Sequence, residues 1–368
     1  MASRLRADMA DNQPLILDGG LATELEAQGI HLQGDPLWSA RLLQTNPQAI
    51  REAHYSFLRS GADVITTATY QASIPGFITH MDVSSECARE LLMSGVHLAK
   101  ESVKRFVSES RATEQKCPLV AGSVGPYGAF LHNGSEYTGE YAEKMRIEEL
   151  KEWHRPQIGC LAAAGADLIA FETIPSIKEA EALVELLREF PNTKAWLSLS
   201  CKDGRCISDG SPFTDAVKIA NRSLQLVAVG VNCCSPALVE QLLDSAGSLL
   251  SPDMSWVVYP NSGEEWDTEQ GLLQMQLRNE SFHPRETKDP SRPNLSQDSL
   301  GFSDQPFSKR WMTPGKASAS ILELSHTWLK QGAFLIGGCC RIGPAHIKEL
   351  RQHLKGSCTS AASAERLD

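Results

Sequence analysis

The chain contains no run of about 20 consecutive apolar residues, the length an α-helix needs to cross a bilayer, so a helical membrane span is excluded. It also lacks the apolar segment of an export signal. Met1–Pro14 carries Arg4 and Arg6 but also Asp8 and Asp11, and the expectation is a cytoplasmic protein. Positive charge is short: 35 Lys and Arg stand against 45 Asp and Glu, a net charge of −10. That balance speaks against a nucleic-acid or anionic-membrane partner. Ten cysteines in 368 residues are too sparse for a disulfide scaffold, and without export they are expected to be free thiols. Cys87, Cys117 and Cys160 read as buried small apolar groups, and Cys201 and Cys206 have no second pair nearby to complete a metal site. No G-x-G-x-x-G follows the first apolar run, so a dinucleotide-binding fold is disfavoured.

What the chain does have is one repeated alternation. Short apolar runs occur at "LILDGG" (15–20), "GADVITTATY" (61–70), "CPLVAGSVGP" (117–126), "GADLIAFETIP" (165–175), "AWLSLSC" (195–201), "LQLVAVGVNCC" (225–234), "MSWVVYP" (254–260) and "GAFLIGGCC" (332–340). Helical patterns separate most of them. Continuous apolarity marks strands covered on both faces, hence a parallel sheet. Eight such βα repeats predict an α/β fold, the (β/α)8 TIM barrel, over residues 12–352. Asn46 and Pro47 predict a capped helix start. Pro156 is expected to kink or split the helix over 140–164, and Ser176 with Glu179 reads as a capping box. Gly61, Gly165 and Gly332 each stand between helix and strand, where left-handed backbone ends a helix. Residues 280–310, polar and proline-rich, form a long excursion after strand 7, and 353–368 read as a disordered tail.

In such a barrel the C-terminal strand ends face the reaction site. The polar residues there are Asp18, Thr67 and Thr69, Ser123, Glu172, Asn232 with Cys233, and Cys339 with Cys340. Thiols from two strand ends suit three readings: soft ligands for Zn²⁺ with a fourth position open, core packing, or redox chemistry. Adjacent cysteines reach one metal only if the backbone turns, which Gly337 and Gly338 allow. Glu172 follows four apolar residues and is costly to bury without a partner. The reading is an acceptor for an ammonium group, against a cap or salt bridge beside Pro175. Asp18 faces a substrate or caps the next segment. The N–H groups of Gly19 and Gly20 could hold a carboxylate. These groups together suit an amino acid. A phosphate-binding barrel remains a weaker alternative, through "YPNSGEEW".

The runs "LDGGLATELE", "GADVITTATYQAS", "AGSVGPYGA", "FETIPS", "GVNCCSP", "VVYPNSG" and "IGGCCRIGP" give the chain its resemblance to the zinc-dependent homocysteine S-methyltransferase family. The "TTATYQAS" and "VGPYGAFLHNGSEYTG" runs are most similar to its S-methylmethionine-using branch, and Gln71 stands where the betaine branch has a tyrosine. The resemblance implies one Zn²⁺ per chain on Cys233, Cys339 and Cys340, with Cys234 not a ligand. It implies homocysteine binding by Asp18, Gly19, Thr67 and Glu172, the last at the amino group, with Asn232 beside the first ligand and Trp38 lining the pocket. The implied reaction moves a methyl group from a sulfonium donor, S-methylmethionine or S-adenosylmethionine, to homocysteine, giving methionine. A different thiol or selenol acceptor such as selenocysteine, or a non-catalytic zinc barrel, is the alternative.

Overall fold

The computed structural model describes residues 13–109, 116–263, 265–266, 311–312 and 320–356. All eight apolar runs become strands: β1 (Leu15–Ile16), β2 (Val64–Thr66), β3 (Leu119–Val124), β4 (Leu168–Ile174), β5 (Ala195–Leu199), β6 (Leu226–Asn232), β7 (Ser255–Tyr259) and, after the short β8 (Glu265–Trp266) and β9 (Trp311–Met312), β10 (Ala333–Ile336). The sheet order is β1-β10-β7-β6-β5-β4-β3-β2, with parallel neighbours throughout. A parallel bridge between Leu17 and Val64 joins its two ends and makes the sheet a barrel.

Alternate residues of each strand serve two cores, because side chains leave a strand on opposite faces. Leu15, Leu17, Val64, Leu119, Ala121, Leu168, Ala170, Trp196, Ala228 and Val257 fill the barrel interior. Ile16, Ile65, Val120, Ile169, Phe171, Leu197, Val229 and Val258 pack under the helices. Burial on both faces is why the strands read as unbroken apolar runs. The interior is tight: a Cβ on Gly230 would lie 1.8 Å from Val257 O.

Asn46 caps the helix Pro47–Arg59, its side chain accepting from Ala49 N at 3.3 Å. Gly61, Gly165 and Gly332 all adopt positive φ, between 84° and 95°, as the helix-to-strand turns require. A helix split at Pro156 and a full capping box at Ser176 are both absent. The helix Ile147–Ala163 runs through Pro156 unbroken, and the interruption lies earlier, at extended Met145 after Tyr141–Lys144. Ser176 does cap its helix, accepting from Lys178 N, but Glu179 turns into the core, where Tyr127 N, Tyr141 Oη and His154 Nε2 meet its carboxylate.

Residues 264–317 form a separate compact unit. Its described part is the antiparallel pairing of Glu265 with Met312 and Trp266 with Trp311, and the 280–310 excursion lies outside the described residues. The last helix, Pro344–Lys355, is followed by residues outside the described part. Among the described residues, no helix is long and apolar enough to cross a membrane.

Candidate metal and substrate site

The barrel's inward-facing positions change character at their C-terminal ends. After the apolar layers come Ser123 on β3, Glu172 on β4, Ser198 on β5, Asn232 on β6 and Tyr259 on β7, all buried. The three thiols stand just beyond this polar layer. Cys339 Sγ lies 3.1 Å from Cys233 Sγ, and Cys340 Sγ lies 3.7 Å from it. All three sulfurs fall within 4.8 Å of one another, and they are the one group of metal-ligating side chains of this kind among the described residues.

Backbone strain and close packing bring them there. Cys233 has φ 52°, a conformation uncommon outside glycine, which turns the chain as β6 ends. The turn that separates Cys339 from Cys340 is closed by Ile342 N donating to Cys339 O at 3.1 Å, with Arg341 at φ 67°. Gly337 and Gly338 make room on two sides. A Cβ on Gly337 would meet Asp18 O at 2.8 Å, and one on Gly338 would meet the Ile342 side chain at 2.3 Å. Gly337 thus lets the end of β10 lie against the end of β1, and Gly338 lets the turn fold back on the strand end. Cys339 N donates to Pro260 O at 2.8 Å and Cys340 N to Asn261 Oδ1 at 3.2 Å, fixing the pair to the end of β7.

Three soft sulfur ligands with room for a fourth are the donor set of a catalytic zinc site. The hydrogen bond Cys339 donates to Cys233, burial, and the nearby negative charge of Cys233 and Glu172 hold its thiol well above the usual range. A dication reverses that preference, because its field favours thiolates. Polar neighbours are in place around the sulfurs: Tyr137 Oη at 3.8 Å from Cys233 Sγ, and Asn232 Nδ2 at 4.0 Å from Cys339 Sγ. Such outer contacts orient metal ligands and tune them. Cys233, Cys339 and Cys340 form a zinc site, and Cys234 is buried apart from it in the apolar core.

Two buried carboxylates lie beside the thiols. Glu172 accepts from Ser123 Oγ and, at 3.1 Å, from Tyr259 Oη, while Trp196 Nε1 donates to Tyr259 Oη at 3.0 Å. Asp18 accepts from Thr66 N at 2.8 Å and Thr66 Oγ1 at 3.1 Å. Their hydrogen-bond partners, Thr66, Ser123 and Tyr259, are all neutral. Burial pushes Asp18 up to about 8 despite the Thr66 bonds, with the charge of Glu172 adding to it, and burial also raises Glu172.

The remaining sequence candidates divide. Thr67 Oγ1 shares a 2.6 Å hydrogen bond with Thr69 Oγ1 and accepts from Ser123 N at 3.0 Å, so it braces β2 against β3. Asn232 Oδ1 accepts from Thr173 N at 2.8 Å and Ser198 Oγ at 2.7 Å, and its Nδ2 donates to Thr173 Oγ1 at 2.8 Å. It holds Thr173 in left-handed backbone, φ 60°. Gly20 N donates to Ile342 O at 2.9 Å, so Gly19 remains the N–H of that pair open to a ligand. Trp38 is partly buried in a different cluster, with Leu25, Leu43 and Leu92, and no hydrogen bond or ring contact joins it to the thiols or carboxylates. Cys160 is buried, but Cys117, expected inside, is exposed: it precedes β3 at the barrel's other end.

The sequence profile of the homocysteine S-methyltransferase family matches residues 15–354. This chain belongs to that family. It is 36% identical over 358 residues to betaine-homocysteine S-methyltransferase of Drosophila melanogaster, covering 94% of this chain and 96% of that one. It is 39% identical over 348 residues to homocysteine S-methyltransferase YbgG of Bacillus subtilis, covering 92% and 94%. The metallated crystal structure of the homocysteine methyltransferase MmuM from Escherichia coli superposes with a TM-score of 0.74 at 35% identity, covering 94% of this chain and 98% of that one.

For a homocysteine S-methyltransferase, the site includes residues that sequence reading passes over. Tyr259, Asn261 and Ser198 sit at strand ends and carried the same positional signal as Asn232. Tyr137 and Tyr70 carried none, since the loops after β3 and β2 bring them into the field of Cys233 only in the folded chain; Glu136, next to Tyr137, carried none either.

Proposed function

We propose that this chain methylates homocysteine to methionine, using a sulfonium compound as methyl donor. The observation that carries this is the placement of a three-thiol zinc site beside two buried carboxylates whose hydrogen-bond partners are all neutral. Zinc supplies a Lewis acid that favours the thiolate of an incoming thiol near neutral pH. Cys233, Cys339 and Cys340 hold the metal. Glu172 accepts from the acceptor's ammonium group, Asp18 adds negative charge beside it, and Gly19 N–H faces its carboxylate. Thr67 and Asn232 keep those groups in position. Holding both partners in line supplies much of the rate of such a transfer.

The step balances without an acid or base at the methyl group. The acceptor's thiol proton leaves to solvent on binding. A new S–CH3 bond forms at homocysteine sulfur as the donor's S–CH3 bond breaks, and the electron pair of the broken bond stays with the departing thioether. An anion and a cation become neutral products, a change that exclusion of water by the buried strand ends favours. Gln71, standing in place of the tyrosine of the betaine branch, supports a sulfonium donor, S-methylmethionine or S-adenosylmethionine. Cys87, Cys160, Cys201 and Cys206 are thiols outside any disulfide, which suits a reducing compartment, and we assign the enzyme to the cytoplasm.

Metal analysis and methionine formation test the reading together. Cys339→Ala loses zinc and turnover, while Cys234→Ala keeps both. S-methylmethionine, S-adenosylmethionine and betaine are then offered one at a time, with homocysteine or selenocysteine as acceptor. Full zinc in Cys339→Ala overturns the metal site. Betaine as the best donor overturns the sulfonium assignment, and a preference for selenocysteine overturns the acceptor.

A further inference from the structure

The turn Ser135–Tyr137 follows β3 and is clamped from several sides. Glu136 O accepts from Ser200 Oγ at 3.2 Å, and Gly139 N donates to Ser135 O at 2.8 Å. Gly128 packs so closely that a Cβ there would lie 2.6 Å from Glu136 N. This packing delivers Tyr137 Oη to Cys233 Sγ. Glu136 is the next residue back along the turn. Its Oε2 is buried and has no hydrogen-bond partner, and no salt bridge to it is found among the described residues. Burial pushes the carboxyl up to about 7, its own N–H opposing this only in part.

Two phenols connect this carboxylate to the reaction site. The Tyr137 hydroxyl feels the charges of both Cys233 and Glu136. Tyr70 stands in the field of Glu136, Cys233 and Glu172 together, and its hydroxyl is hydrogen-bonded with Thr173. The Tyr70 ring lies against Gly125, where a Cβ would approach it to 2.8 Å. A buried carboxylate oxygen with no partner is costly, and the cost falls when a cation pairs with it. Aromatic faces attract cations of low charge density as well. The acceptor's ammonium group is already met by Glu172 and Asp18, which leaves Glu136 for the second substrate.

We propose that Glu136, with the rings of Tyr70 and Tyr137, forms the cation subsite of the methyl donor and selects a sulfonium amino acid, whose α-ammonium group pairs with the Glu136 carboxylate. The proposal rests on the methyl-transfer reading given above. A sulfonium whose other charged group is only a carboxylate gains no such pairing. 4-(Dimethylsulfonio)butyrate is that compound: it is S-methylmethionine with a hydrogen in place of the ammonium group.

Calorimetric titration of the zinc-loaded protein with these two sulfonium compounds tests the subsite without turnover. Wild type binds S-methylmethionine roughly tenfold or more tighter than 4-(dimethylsulfonio)butyrate, the scale of one charge-assisted pair. Glu136→Gln abolishes most of that preference and Glu136→Asp recovers part of it, with zinc content and homocysteine KM unchanged. An equal preference in wild type and Glu136→Gln overturns the subsite. So does a rise in homocysteine KM as large as the donor effect, which places Glu136 with the acceptor or in packing alone. Methionine formation by wild type reports separately on the reaction. Turnover with an unchanged preference discards the subsite and keeps the reaction, and a lost preference without wild-type turnover does the reverse.

Discussion

Glu172 shows what a single position in this barrel costs and what it is for. Burial raises its carboxyl above the usual range, and the hydrogen bonds from Ser123 and Tyr259 offset only part of that. Asp18 nearby adds like charge, so an arriving ammonium group relieves both. Glu172→Gln is expected to weaken homocysteine binding by about 1–3 kcal/mol, the scale of a charge-assisted hydrogen bond. Zinc content stays at the wild-type level. Competition between homocysteine and 4-mercaptobutyrate, which lacks the amino group, is the measurement: wild type discriminates strongly and the Gln variant weakly. Equal discrimination makes Glu172 a structural tie between β3 and β7. The residue was legible in "LIAFETIP" because a carboxylate ending an apolar run has few bland explanations. Its partners were not, since Ser123 and Tyr259 reach it only through strand order.

At the level of elements, the segment after β3 depends on one buried carboxylate. Glu179 holds Tyr127 N at 2.8 Å, His154 Nε2 at 2.7 Å and the Tyr141 hydroxyl. It thereby joins the helices Tyr127–Leu131, Tyr141–Lys144 and Ile147–Ala163 to its own. Glu136 and Tyr137 sit between the first two of these. Glu179→Gln keeps one oxygen for Tyr127 N and His154 Nε2 and turns its amide N–H toward the Tyr141 hydroxyl, so the Tyr141 O–H loses its buried acceptor. The expected loss is about 1–3 kcal/mol of stability, read as a lower urea midpoint, with zinc retained and proteolysis quickening within 127–144. Unchanged proteolysis there shows that the segment is held by its apolar contacts instead. The spacing from Ser176 to Glu179 resembles a capping box because local pattern records only distance along the helix. Which face the carboxylate turns to is settled by the three partners that surround it.

Across the whole molecule, acid stability is governed by buried groups that resist their charged forms. His54 is fully buried with no partner for either ring nitrogen, and burial pushes it from 6.5 down to about 4. The unfolded chain takes up a proton below 6.5 that the native protein refuses until about 4. Against the raised carboxyls of Asp18 and Glu136, which favour the native state as pH falls, His54 lowers stability as pH drops through that window. His132 is also pushed down to about 4, with burial the main cause, and acts in the same direction. Urea unfolding at pH 7 and pH 5 measures the effect. The loss between these two values is expected to be about 2 kcal/mol smaller in His54→Phe than in wild type. An identical loss in both proteins assigns the acid sensitivity elsewhere.

Sequence alone determined the barrel, because two-sided burial leaves each strand an unbroken apolar run, and three of the returns to the sheet, before β2, β4 and β10, carry a glycine in left-handed backbone. It also marked Asp18, Glu172, Cys233, Cys339 and Cys340, since polar and thiol groups at the ends of such runs face the reaction end of a parallel barrel. Tertiary structure decided how those groups are used. The thiols converge because Cys233 and Arg341 adopt positive φ, Gly337 lets β10 press against β1, and Gly338 leaves room for the turn through Ile342. Neither backbone angles at non-glycine residues nor contacts between distant strand ends are written in local pattern. The same holds for Tyr70, Glu136 and Tyr137, which lie on the connections after β2 and β3. Only closure of the barrel brings those connections over one metal site.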